Sequence, residues 1–393
     1  MKPRVLFLDH KASVGGSELS LLDIARDNLG TSRVVLLADG PFRQRLEEAG
    51  IEVEVLPAPA AVSGISREGG LGRDLLALPH VLGLARRVAK LSRRYELIYT
   101  NSQKALIIGA LAGVIARKPV IWHQRALLTR HAQATHNNYF SGAHQRLAAL
   151  SSNLLIKRII ANSRATAEAL VEAGVRANRV RVVHNGIDPS PFEAVAATEV
   201  DDLRRELGLE GVSIVGAFGR LTPWKGQHVL LEALPRLPDV HALLVGEATP
   251  QDQAYAKALL QQSKDLGLED RVHFVGFRRD IPRLMRLSDV VVHTSVAPEP
   301  FGRVIVEGML ARRPVVATRG GGVPEIIDDE INGVLVPPGD AKALAEALRG
   351  LLADPAKARA LAEAGHATAL ERFSLRAMLE GVAEQLREVV VRR

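Results

Sequence analysis

Thirteen short apolar runs, with helical patterns between most of them, constrain this chain more than any other feature. The first seven cover residues 5–8, 34–38, 53–56, 97–100, 120–122, 159–161 and 180–183. The other six cover residues 214–218, 242–245, 272–275, 290–294, 315–318 and 334–336. Runs this short and this apolar suit strands buried on both faces. Strand alternating with helix implies a parallel, doubly wound sheet. The two series are divided by His184-Asn185-Gly186-Ile187-Asp188-Pro189, a turn and a hinge. The expected fold is α/β: two tandem doubly wound, Rossmann-like domains, residues 1–188 and 189–374. Ligands of such sheets bind at the carboxyl ends of the strands. Two sheets facing each other leave a cleft, and the hinge lets it close. An amphipathic helix over residues 375–391 is free to cross back onto the first domain. Residues 57–72, rich in Pro, Gly and Ser, predict a mobile loop.

Length agrees, since one core rarely grows past about 250–300 residues and the chain has 393. Cysteine is absent, so there is no disulfide framework, which fits a cytoplasmic protein. The longest apolar run, residues 105–116, is too short to span a bilayer and predicts a buried helix. Residues 1–8 predict a first strand rather than a signal peptide.

The net charge of +7 is unevenly placed. Residues 1–187 hold 26 Lys and Arg against 14 Asp and Glu, a balance of +12, and the remainder balances at −5. Between residues 97 and 167 there is no acidic residue, only Lys104, Arg117, Lys118, Arg125, Arg130, Arg146, Lys157, Arg158 and Arg164. Residues 84–94 add Arg86, Arg87, Lys90, Arg93 and Arg94 on a helical pattern. An anionic lipid, a lipid phosphate or an acidic sugar suits this half, with peripheral contact on the inner face of the plasma membrane. A basic solvated face is the plainer alternative. Nucleic acid is not expected, because aromatics are scarce and no recognition motif occurs.

The chemistry gathers around residues 298–314. An apolar strand runs into a turn, and a helix starts near Phe301 or Gly302. The backbone N–H groups of Phe301, Gly302, Arg303 and Val304 would form an anion site. Glu299 and Glu307 flank that site, as suits a ligand with hydroxyls on both sides of a phosphate; an ordinary strand–loop–helix unit is the alternative. After the first strand of the second domain comes Gly219-Arg220, then Lys225-Gly226. Arg220 can fork onto two phosphate oxygens and Lys225 supplies a point charge; a solvated loop fits equally. Gly15-Gly16, between the first strand and its helix, lets backbone approach a ligand or makes a plain tight turn. His123 ends a strand, where it would bond a sugar hydroxyl or simply cap the strand; His10 is a weaker candidate. The turn at residues 320–325 offers backbone donors or, through Glu325, a helix charge. Arg278 and Arg279 lie where a base could rest or where a loop meets solvent. No Asp-any-Asp clamp and no zinc spacing occurs, so no metal and no cofactor is expected.

Together these residues resemble the large retaining glycosyltransferase family four, of the GT-B fold. The resemblance spans the chain and is strongest over residues 211–339. It rests on Glu299 and Glu307 with seven residues between, on Phe301-Gly302, on Gly219-Arg220 and Lys225-Gly226, on Asn185-Gly186-Ile187-Asp188 and on Gly15-Gly16. It implies that Glu299 contacts hexose hydroxyls and Glu307 the ribose diol of a nucleotide-sugar, UDP-linked by family habit. Arg220 and Lys225 would hold the diphosphate, His123 would sit beside the donor sugar, and backbone near Phe277-Arg278 would frame the base. The implied mechanism is front-face transfer with retention, onto a sugar, lipid-linked or other hydroxyl in envelope polysaccharide or glycoconjugate synthesis. A nucleotide-sugar epimerase and a non-catalytic nucleotide binder are the competing classes. No carboxylate pair is placed for the first, and the intact cation pair argues against the second.

Overall fold

A computed structural model describes residues 2–59, 71–128 and 142–391, without the side chains of residues 71–76 and 142–148. The chain divides into two compact units: Met1–Gly186 with Leu375–Arg393, and Ile187–Ser374. The passage between them falls two residues before the expected 188/189 boundary.

The first unit holds β1 (Val5–Asp9), α1 (Gly16–Asp27), β2 (Ser32–Leu36), α2 (Pro41–Glu48), β3 (Val53–Val55), α3 (Leu71–Ser92), β4 (Leu97–Thr100), α4 (Gln103–Ala116), β5 (Val120–Gln124), α5 (Gly142–Leu155), β6 (Arg158–Ala161), α6 (Arg164–Glu172) and β7 (Val180–Val182). Its seven strands are all parallel, in the order β3-β2-β1-β4-β5-β6-β7. Successive side chains of a strand point to opposite faces. Leu6 and Leu8 therefore join one buried cluster with Leu84 and Val88 of α3. Val5 and Phe7 join another on the opposite face. A run that must fill two cores reads as continuously apolar, which is why these strands were legible.

The C-terminal helix belongs to this unit. Met378, Val382, Leu386 and Val389 of that helix (Leu375–Val391) pack into the cluster of Val5 and Phe7. Glu388 meets Arg158 at 2.7 Å, and the Gly186 N–H donates to Met378 Sδ at 3.1 Å.

The second unit opens with α7 (Ser190–Glu193) and α8 (Ala197–Glu206). There follow β8 (Ser213–Phe218), α9 (Gln227–Ala233), β9 (Val240–Val245), α10 (Gln253–Asp265), β10 (Val272–Gly276), α11 (Ile281–Leu287) and β11 (Val290–His293). It closes with α12 (Arg303–Leu310), β12 (Val315–Thr318), β13 (Val334–Val336), α13 (Ala341–Ala353) and α14 (Pro355–Arg372), which makes the C-terminal helix α15. Its sheet is parallel in the order β10-β9-β8-β11-β12-β13.

Three expectations change. Residues 60–70 of the expected loop lie outside the described residues, and its last two residues, Leu71 and Gly72, already belong to α3. The helix expected over residues 84–94 is the end of α3, whose apolar residues Leu84, Ala85, Val88 and Ala89 are buried. Its apolar stripe serves the core, and Arg86, Arg87, Lys90, Arg93 and Arg94 are left outside as a basic face. The helix expected to be buried over residues 105–116 is α4, and Ile107, Val114 and Ile115 on it are exposed. No helix among the described residues is long and apolar enough to cross a membrane.

Leu386→Ala should lower the stability of the first unit by about 3 kcal/mol, the usual loss for a buried Leu. Urea unfolding checks this; an unchanged midpoint would mean that α15 contributes nothing to that core.

Candidate active site

In the second unit the site grows from two loops at the carboxyl ends of β8 and β11. The β8 loop turns at Gly219, with φ at +132°, and makes a single 3-10 turn, Pro223–Lys225. Gly226 follows with φ at +67°. A Cβ there would lie 2.1 Å from the Thr294 carbonyl oxygen, so no other residue lets the two loops meet this closely. Thr294 Oγ1 donates to the Lys225 carbonyl at 2.9 Å, and the Val296 N–H donates to the Trp224 carbonyl at 2.9 Å. This stitching sets Lys225 Nζ 2.6 Å from Glu299 Oε2. The Lys225 ammonium also lies 4.3 Å from the centre of the Trp224 ring.

Glu299 is held from several sides. His293 Nε2 is 3.2 Å from Glu299 Oε2, and Ser295 Oγ donates to the same oxygen at 3.3 Å. Behind it, the Gly322 N–H donates to the Glu299 carbonyl at 2.8 Å. Gly321, with φ at +59°, leaves no room for a Cβ against that carbonyl. Burial alone pushes the Glu299 carboxyl up; the charge of Lys225 and the hydrogen bond of His293 more than reverse this, to about 2. Glu299 is thus an ionised acceptor and not an acid. Burial pushes His293 down, against the pull of Glu299. Sequence reasoning missed His293, though its place at the end of an apolar strand was the available signal.

The turn at residues 320–325 is expected to offer backbone donors to a ligand or, through Glu325, a helix charge. Its Gly322 N–H instead secures Glu299. Arg220 is exposed and forms no ion pair among the described residues. Helix α12 begins at Arg303, capped by Gly302 with φ at +115°. Val304 is partly buried in its first turn. The Phe301 ring is buried in the core, 5.7 Å from that of Phe373, so only its backbone is left to meet a ligand. Glu307 lies one helical turn from Arg303, 3.3 Å from its guanidinium. Phe277 follows β10 with its ring 62% exposed, and its N–H donates to Glu247 at 3.3 Å. The Arg278 guanidinium is engaged by both carboxylate oxygens of Asp280, at 2.7 and 2.6 Å.

In the first unit the corresponding edge holds a buried polar network. His123 lies inside β5 rather than at its end, pairs with Ile160 and is fully buried, so it does not stand exposed at an edge. Its Nδ1 receives Arg125 Nη2 at 3.2 Å and contacts the Tyr99 hydroxyl. Arg125 continues to Asn101 Oδ1 and Asn185 Oδ1, both at 2.8 Å, and Asn101 donates to Asp9 at 2.7 Å. A guanidinium can only donate, so Nδ1 carries the lone pair and the ring proton sits on Nε2. Nε2 is buried without a hydrogen-bond partner among the described residues. Burial, then the charge of Arg125, holds His123 well below the usual imidazole range. Asp9, Tyr99 and Asn101 were not singled out from sequence, and Arg125 was noted only for its charge; each is an ordinary residue at or near a strand end until the sheet aligns them. His10 bonds Ser102 Oγ at 2.7 Å. Gly15 caps α1, which starts at Gly16, and a Cβ on Gly15 would meet Glu18 Oε2 at 2.8 Å. The chain's own carboxylate therefore lies at that helix start.

A carboxyl depressed in the folded state contributes stability that is present above its unfolded value and lost on acidification. The second unit should lose thermal stability between the usual Glu value of 4.5 and about 2. Glu299→Gln should flatten that part of the profile; an equally steep loss in the variant would show that Lys225 does not stabilise the carboxylate.

The family model "Glycosyl transferases group 1" matches residues 199–368, and "Glycosyltransferase Family 4" matches residues 34–191. The crystal structure of Anabaena HepE in complex with UDP and glucose is 41% identical, covers 98% of this chain and 99% of that one, and superposes with a TM-score of 0.88. HepE in complex with UDP-glucose is 40% identical over 98% and 99% of the two chains, with a TM-score of 0.87. WaaG, at 19% identity over 97% and 99% and a TM-score of 0.72, shares the fold. The lipopolysaccharide core biosynthesis glycosyltransferase LpsE of Rhizobium meliloti (strain 1021) is 32% identical over 228 residues, 58% of this chain and 63% of that protein. The D-inositol 3-phosphate glycosyltransferase of Mycobacterium sp. (strain KMS) is 36% identical over 186 residues, 46% of this chain and 41% of that protein. The chain thus spans less than two thirds of these curated relatives. With both family models matched in order and a relative of 41% identity aligned over nearly its whole length, the chain belongs to glycosyltransferase family four and has the GT-B fold.

Proposed function

We propose that the chain transfers a hexose-type sugar from a UDP-sugar to a hydroxyl of a sugar or lipid-linked acceptor, with retention, in the assembly of an envelope polysaccharide or glycoconjugate. The observation that carries this is the Lys225–Glu299 pair, fixed at 2.6 Å at the carboxyl ends of two strands, with Arg220, which forms no ion pair among the described residues, in the same loop as Lys225. The ligands of HepE, UDP and UDP-glucose, support the choice of donor. The place of LpsE in lipopolysaccharide core biosynthesis supports the assignment to glycoconjugate assembly. Nothing in the comparisons supports an epimerase.

In this proposal Arg220 and Lys225 stabilise the departing diphosphate, where negative charge develops. The donor's own phosphate oxygen takes the acceptor's proton, so no side chain need act as base. Glu299, ionised, accepts from hexose hydroxyls, and Glu307 from the ribose diol. The start of α12, from Gly302 to Val304, adds backbone donors for phosphate. The exposed Phe277 ring gives the base an apolar surface, with Arg278 as its neighbour. Gly15 and Gly16 give backbone access. His123 meets a ligand oxygen through Nε2–H, as a donor and never as a base. The chain's own cations neutralise the diphosphate, so no metal is needed. Lack of cysteine and the basic first half support a cytoplasmic site with peripheral contact to an anionic membrane.

Arg220→Ala should lower kcat/KM about 100-fold, equivalent to ~2.7 kcal/mol of transition-state stabilisation. The assay is turnover of a panel of UDP-sugars against sugar and lipid-linked acceptors, with EDTA present and the product anomer read by NMR. Wild-type rates in the variant would remove Arg220 from the site, an inverted anomer would refute retention, and loss of turnover in EDTA would refute metal independence. Nitrogen NMR of histidine-labelled protein should show His123 protonated on Nε2 alone from about pH 5 to pH 8, across the usual imidazole range. A ring proton on Nδ1, or a titration in that interval, would make the proposed donor role untenable.

A further inference from the structure

The two cations of the β8 loop are set from two different flanks. Lys225 is placed by the stitching to the β11 loop. Arg220 is placed from the other side, by β9 and the segment that follows it. The Gly219 N–H donates to the Val245 carbonyl at 2.9 Å, and the Leu221 N–H donates to the Glu247 carbonyl at 3.1 Å. A Cβ on Gly246 would lie 2.1 Å from the Gly219 carbonyl oxygen, so the two segments close up where only glycine fits. Next in the loop, Thr222 Oγ1 donates to Asp252 Oδ1 at 3.0 Å, and Thr249 Oγ1 donates to Asp252 Oδ2 at 2.8 Å. Thr222 and Asp252 are only 1% and 4% exposed.

A local role accounts for part of this. Thr249 precedes the turn Pro250–Asp252 that leads into α10, and an acid three residues after a Thr suits a helix start. That explains Oδ2 and the charge. It does not explain the burial, since a carboxylate left in water would serve the helix as well and cost less. Nor does it explain Oδ1, which is directed at a residue 30 positions away. Thr222 stands two residues from Arg220, whose guanidinium is exposed and forms no ion pair among the described residues. With no charged partner to hold it, that side chain takes its aim from its backbone.

We propose that Asp252 is a positioning residue for Arg220: through Thr222 it fixes the backbone from which the guanidinium reaches the departing diphosphate. This rests on the transferase reading above, in which Arg220 has that role. Asp252 itself meets no substrate. Its effect falls on the transition state, because a charged group misplaced by about 1 Å loses much of its worth there.

Asp252→Ala and, separately, Thr222→Val, which removes little more than the hydroxyl, are compared with the parent in two measurements. The first is turnover of the UDP-sugar and acceptor found active in the panel above. Each variant should lower kcat about tenfold with little change in KM for the donor. In an Arg220→Ala background the same substitutions should change kcat less than about twofold, because the group they aim is gone. Thr222→Ser, which keeps the hydroxyl, should restore most of the rate. The second is hydrogen exchange, which needs no turnover. The Leu221 amide should exchange about tenfold faster in both variants, while the Val291 amide, inside the same sheet, keeps the parent's rate. Losses as large without Arg220 as with it would make Asp252 merely structural and overturn the proposal. So would parent-like exchange at Leu221, or faster exchange at both amides, which reports general loosening. A parent inactive on every donor, with Leu221 still exchanging faster in the variants, would instead refute the transferase reading and leave the anchoring of the loop by Asp252 standing.

Discussion

The second unit depends on one close contact, the ammonium of Lys225 against the carboxylate of Glu299. Both side chains are largely withdrawn from water, 18% and 12% exposed, so either charge alone would be costly to hold there. The contact exists because loops from three strands are pressed together where only glycine fits, Gly226 of the β8 loop against Thr294 and Gly321 of the β12 loop against Glu299. His293 and Ser295 complete the carboxylate's hydrogen bonds. A diphosphate approaching Lys225 would have to share its ammonium with Glu299. In the proposed reading, attraction for phosphate in this loop falls largely to Arg220, which forms no ion pair among the described residues. A carboxylate held ionised and fixed in orientation suits hydroxyl recognition, because its acceptor geometry is set before the ligand arrives.

The first unit solves a related problem without an ion pair of that kind. Its buried Asp9 is answered by Asn101 and the His10 N–H, and Asn101 in turn by Arg125. Burial pushes the Asp9 carboxyl up, yet the hydrogen bond and charge of His10 carry it down overall. The same Arg125 fixes the orientation and proton position of His123. One guanidinium thus ties together β5, Asn101 just beyond β4 and Asn185 just beyond β7, and Asn101 carries the network on to Asp9 of β1. Such a network defines a single arrangement, because its members lose their partners together.

The strands were legible because most are apolar on both faces and bounded by turn residues, with Glu54 and Arg181 interrupting only the edge strands β3 and β7; the observed ends differ by a residue or two. Arg220, Lys225, Glu299 and Glu307 were legible as residue types at revealing positions. Who faces whom was not. Glu299 and Lys225 are 74 positions apart, and no local pattern announces that they touch. Phe301 and Gly302 are neighbours in the chain, yet one ring fills the core while the other residue caps a helix. The direction in which a helix turns its stripe was equally hidden. The basic residues of α3 stay outside as composition implies, whereas Ile107, Val114 and Ile115 of the apolar α4 are exposed, because the sheet beneath decides which side is covered.

By itself, the sequence determined the alternation of strand and helix, the two series, the glycine-rich turns and the lopsided charge, since these follow from local periodicity and composition. Only the tertiary structure decided that Lys225 answers Glu299, that Gly322 supports the carboxylate's backbone, that His123 is a buried donor held by Arg125, and that Asp252 holds Thr222. Those outcomes depend on contacts between segments distant in the chain, and such contacts are fixed by packing, which no window of neighbouring residues contains.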